Sequence, residues 1–92
     1  MIVYWTRTAK KHLRAIHDYI AVDSAKAAMD FVERILDRSE QIGQFPESGR
    51  AVPEYERPDI REVFHRQYRV IYRIRTAQID VLAVIHTARR LP

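Results

Sequence analysis

Cysteine is absent from the 92 residues. That excludes a disulfide framework, a cysteine-ligated zinc site and a thiol nucleophile, and it fits a cytoplasmic protein. Glycine occurs only twice, too rarely for a glycine-rich phosphate loop, so nucleotide hydrolysis is not expected. No wholly apolar run exceeds five residues. A membrane helix needs about 20, so neither a span nor a membrane partner is expected. Met1-Ile2-Val3-Tyr4-Trp5 is followed at once by Thr6 and Arg7. With no basic leader before the apolar stretch, it does not read as a signal peptide. No internal period repeats, which excludes a solenoid. What is present, 47% hydrophobic and 30% charged residues, is the mixture of a single small globular domain over residues 1–92.

The net charge of +4 is unevenly placed. Residues 1–59 hold 9 basic and 10 acidic side chains, whereas residues 60–92 hold 7 arginines against Glu62 and Asp80. The excess positive charge therefore lies in the last third and is all arginine, the side chain suited to planar recognition of carboxylate or phosphate. An anionic partner, nucleic acid or acidic protein, is expected there.

Ile2–Thr6 is apolar and β-branched and reads as a short strand. Thr6 or Thr8 can cap a helix whose stripe is Ala9, Leu13, Ile16 and Ile20, ending near Ala21 or Val22. Asp23 or Ser24 caps a second helix with the stripe Ala28, Phe31, Val32, Ile35, Ser39 and Ile42. Gly43 is expected to end it and Pro46 to prevent its resumption. The two- or three-residue link makes the helices an antiparallel hairpin. Residues 44–59 are irregular and carry three of the four prolines. Strands follow at Ile60–Arg66, Tyr68–Arg75 and Ile79–His86, the last apolar on both faces and so expected to be interior.

Alternation sorts the faces. Tyr68, Val70, Tyr72 and Ile74 form the apolar face, on which the helices belong. Arg69, Arg73 and Arg75 take the opposite face, with Arg61 and His65 expected nearby. The expectation is an α+β domain of order β-α-α-β-β-β, a helical hairpin on one face of a four-stranded, mainly antiparallel sheet with a basic opposite face. Tyr4 and Trp5 point to opposite sides of the first strand. One enters the core and the other is left for an interface, for which Trp5 is the candidate.

Four segments in this order resemble the RelE/ParE superfamily of bacterial type II toxins. They are Ala9-x3-Leu13-x2-Ile16-x2-Tyr19-Ile20; Pro46-x2-Gly49-Arg50-x-Val52-Pro53-Glu54; Ile60-Arg61-Glu62 with Tyr68-Arg69-Val70-Ile71-Tyr72-Arg73; and Ile79-x-Val81-Leu82-x-Val84-Ile85-His86 followed by Arg89 and Arg90. The wording is most similar to the ParE-like branch. That resemblance implies a toxin that poisons DNA gyrase and is neutralised, in a hetero-oligomer, by a small acidic ParD-like antitoxin whose C-terminal segment wraps it. On this reading Arg61, Arg69, Arg73, Arg75, Arg89, Arg90 and Trp5 contact target or antitoxin.

The RelE branch implies cleavage of mRNA on the ribosome. Metal-free RNA cleavage needs an acid, a base and cations around the phosphorane. His86, expected near the basic face, is the candidate acid or base and Arg69, with Arg73, the candidate phosphate holder. Glu54 becomes a second proton carrier if its loop folds over the sheet. RelE-type enzymes often place a tyrosine in the tail and lysines around the second strand. Here the tail after His86 has no tyrosine, and residues 60–92 have no lysine. His12 and His17 are five apart and do not share a helix face. His65 and His86 without a placed carboxylate make a poor zinc site, so neither metal nor cofactor is expected.

Overall fold

The computed structural model describes residues 1–91. Its elements are β1 (Ile2–Trp5), α1 (Arg7–Ala21), α2 (Ala25–Gln44), a 3-10 turn (Pro46–Ser48), β2 (Arg50–Ala51), β3 (Ile60–His65), β4 (Tyr68–Ile74) and β5 (Gln78–His86). Among the described residues no helix is long and apolar enough to cross a membrane. The α+β class, the order of elements and the helical hairpin are as expected. The sheet has five strands rather than four, in the order β1-β5-β4-β3-β2. The added strand is two residues of the proline-rich segment, which pair antiparallel with β3 as Arg50–Glu62 and Ala51–Arg61.

Thr6 caps α1 by accepting from the Ala9 amide, and Ser24 caps α2 by accepting from Ala27. Each cap satisfies an amide that the first helical turn leaves without a partner. Thr6 Oγ1 also donates to the Val81 carbonyl at 2.8 Å, fastening the start of α1 to β5. Gly43 does not end α2, which continues to Gln44. It is buried, and its carbonyl accepts from the Met1 ammonium at 2.8 Å. A Cβ there would lie 2.9 Å from Val3 Cγ2, so this glycine serves close approach of helix and strand.

Both faces of the sheet are covered. Val63, Val70, Tyr72, Ile79, Val81 and Val84 pack with Ala9, Phe31, Ile35 and Ile42 beneath the helices. On the other face Ile60, Ile71, Ala83 and Ile85 pack with Val52, and Tyr55 and Leu91 close over them. The irregular segment and the C-terminal tail thus form a second cover. Between the faces the β4–β5 register slips: Ile71 faces Ala83 and Tyr72 faces Val81, leaving Leu82 unmatched. This bulge reverses the alternation of β5 beyond Leu82.

Candidate interaction surface

The bulge decides where His86 goes. His86 lies opposite Tyr68, and the two rings are in edge contact at 5.5 Å. Tyr68 belongs to the helix-covered face, so His86 lies on that face too, and not on the arginine face as expected. Its Nδ1 accepts from the Ala88 amide at 3.0 Å, which starts the turn into the tail. Arg61 and His65 are likewise on the helix side, because their cross-strand partners are Tyr72 and Tyr68. Arg61 spends its donors on the Gly49 and Pro58 carbonyls, at 2.9 and 3.0 Å.

The opposite face is not an open basic surface. Arg69 is 5% exposed. It binds the Glu54 carboxylate through both terminal nitrogens at 2.8 Å and Glu62 through Nε at 2.6 Å. The Glu62 side chain is wholly buried and also accepts from Arg50 Nε at 2.7 Å. Arg50 in turn stacks over the Phe64 ring. Arg73 is paired with Asp59 and Arg75 with Asp80, at 3.2 and 3.3 Å. Asp59 is also gripped by Arg57, which is the largest cause of its lowered pKa.

The buried pair has a second product, a held tail. Arg69 Nη1 donates to the Arg89 carbonyl at 3.2 Å, and Glu54 Oε2 accepts from the Leu91 amide at 3.1 Å. The Arg69 guanidinium, helped by that amide, draws the Glu54 pKa down from 4.5 to about 2. Glu54 does fold over the sheet, as a fully ionised clamp on Arg69 and the tail. Arg89 and Arg90 are exposed and have no carboxylate partner among the described residues. Behind them the Val84 amide donates to His12 Nδ1 at 3.2 Å, where β1 has ended and no strand covers the outer side of β5. Burial, and then the charge of Arg89, lowers the His12 pKa, which favours the neutral ring that accepts at Nδ1.

Trp5 turns inward. It packs against the helix-side core, and its Nε1 donates to Ser39 Oγ at 3.0 Å. Tyr4 is the aromatic left 50% exposed. Together with Leu13, Val32 and Leu36, the two rings line an open, mainly apolar groove where α1 and α2 meet the edge strand β1.

Sequence reasoning misses Glu62 as the buried carboxylate that Arg69 and Arg50 share. A signal for Glu62 is present. A carboxylate between Ile60 and Phe64 in a period-two pattern occupies a buried position, and burial there requires a cation. The arrangement holds a tail in place and displays two arginines; it does not bring His86 and Arg69 together.

The chain is similar to known proteins in sequence and in fold. The family described as the ParE toxin of the type II toxin-antitoxin system, parDE, matches residues 3–91. A solved structure titled as the chromosomal ParDE TA system from P. aeruginosa is similar at 26% identity, with a TM-score of 0.77. The match covers 94% of this chain and 95% of that one. No curated protein matches.

Proposed function

The chain belongs to the ParE toxins of type II toxin-antitoxin systems, and from that premise we propose that it arrests growth by inhibiting DNA gyrase through surface contacts and is neutralised by an acidic antitoxin. One observation carries the choice of a contact mechanism over RNA cleavage. The two groups that cleavage would need, His86 and Arg69, sit on opposite faces of the sheet, and Arg69 is saturated by two carboxylates. Arg89 and Arg90, held out by the Glu54–Arg69 clamp, are the side chains proposed to touch the target. Exposed charge of this kind governs encounter and specificity. The apolar groove of Tyr4, Leu13, Val32 and Leu36 is the proposed seat of the antitoxin, whose acidity suits the net charge of +4.

Induced expression of the chain is expected to stop growth. Arg89→Glu with Arg90→Glu is expected to relieve that arrest while stability stays within about 0.5 kcal/mol, as for other exposed substitutions. His86→Ala is expected to leave the arrest intact. Colony counts with a thermal melt of each purified variant make the check. Undiminished arrest by a folded tail variant contradicts the assignment of the tail, and loss of arrest in a folded His86→Ala protein contradicts the contact mechanism.

A further inference from the structure

The positive charge that the sheet neutralises reappears elsewhere. On α2, Phe31, Arg34 and Arg38 follow one another at helical spacing on the side that faces β3. Opposite them the β3–β4 hairpin presents His65, Arg66, Gln67 and Tyr68. The cleft between hairpin and helices has a volume of about 670 Å³, and Tyr19 and Lys26 complete its rim. Its floor is aromatic: Phe31 meets His65 at 5.6 Å and Tyr68 at 5.2 Å. Tyr19 at the rim is 78% exposed, a ring with no cover.

The cations here are poorly satisfied. Arg66 has no carboxylate partner among the described residues, Arg38 only donates to Gln41, and Arg34 meets Asp37 no closer than 3.7 Å in an exposed pair. After burial, the charges of Arg66, Arg38 and Arg34, in that order, depress the His65 pKa, so the cleft carries uncompensated positive charge. Of the two acids on the cleft, Asp30 is engaged by Lys26 at 3.2 Å, which leaves Glu33, with the loosely paired Asp37 outside the cleft, to oppose the cluster. Arg66 is also the only non-glycine residue with positive φ among the described residues, at 52°. Glycine would hold that turn at least cost, and a costly backbone at a cleft marks a side chain with a use.

We infer that this cleft binds single-stranded nucleic acid, with a backbone phosphate on Arg34 and Arg66 and an adjoining base against Tyr19. Guanidinium groups beside an uncovered aromatic face are what such a strand uses. An acidic peptide would use the cations but leave the ring idle. The inference is independent of gyrase inhibition, since it concerns the chain alone.

The test is fluorescence anisotropy of a short labelled oligothymidylate titrated with the purified chain over a range of salt. Arg66→Gly removes a cation while relieving the backbone, so it should fold. Paired with Arg34→Gln it is expected to weaken binding about tenfold or more and to reduce the salt slope by about one for each phosphate no longer neutralised. Tyr19→Ala is expected to weaken binding with the slope unchanged, and Lys10→Gln to leave binding unaltered. Absence of binding by the unaltered chain overturns the inference. So does equal binding by the paired arginine variant, including the case in which that variant loses affinity only for an acidic antitoxin.

Discussion

Arg69→Met is expected to destabilise the domain by about 3–5 kcal/mol, the cost of removing one partner from a buried ion pair. In a domain of this size that lowers the melting midpoint by roughly 15 °C or more. The size of the effect comes from what is left behind. Glu62, wholly buried, retains only Arg50, while Glu54 and the tail lose their anchor together. Arg69→Met with Glu62→Leu is expected to recover part of the loss, because the stranded carboxylate goes too. A charge reversal at Arg69 therefore reports on folding before it reports on any target.

The same clamp sets the acid limb of stability. The Glu54 pKa is about 2 in the fold against an ordinary 4.5. In that window the unfolded chain binds more protons, so stability rises with pH. The contribution of Glu54 is complete above about pH 4.5 and is lost as the pH falls toward 2. Glu54→Gln is expected to flatten this limb. Chemical denaturation of each protein at several pH values measures both effects. An Arg69→Met cost under about 1 kcal/mol, within the range of an exposed ion pair, would contradict the buried clamp.

Gly49→Ala is expected to cost about 3 kcal/mol, the upper part of the overpacking range. Its Cβ would stand 2.6 Å from the Glu62 carbonyl oxygen and 2.6 Å from the Tyr72 hydroxyl. Neither can yield. The carbonyl is backbone of β3, and Tyr72 is fully buried, its hydroxyl donating to the Pro46 carbonyl and accepting from the Gly49 amide. Tyr72→Phe alone strands the amide and is expected to cost about 1–3 kcal/mol. Combined, the two should cost less than their sum, since the hydroxyl is one of the atoms that the new methyl strikes. Additive costs in a double-mutant cycle would show that the hydroxyl and Gly49 are not in contact.

The fold is legible where physics is local. The helical stripes, the Thr6 and Ser24 caps and the inward face of β4 all follow from short-range spacing. The failures have long-range causes. β2 is two residues in a proline-rich stretch, too short for alternation to announce it. The phase of β5 cannot be read from Val81-Leu82-Ala83-Val84-Ile85, because a bulge inside a uniformly apolar run leaves no mark. That is why alternation alone puts His86 on the wrong face. Arg69 looks like surface charge until Glu54, 15 residues away, is seen to fold onto it. The cluster of Arg34, Arg38 and Arg66 is split between α2 and a hairpin turn, so only the packing of one against the other reveals it.

The proposed inhibition of gyrase by contact, without chemistry from His86, has a direct test. Purified chain and its His86→Ala variant are to be mixed with gyrase, ATP and relaxed plasmid, and the DNA resolved on a gel. Equal loss of supercoiling, or equal accumulation of linear DNA, with both proteins is the predicted result. Undisturbed supercoiling by a chain shown to be folded would contradict the claim.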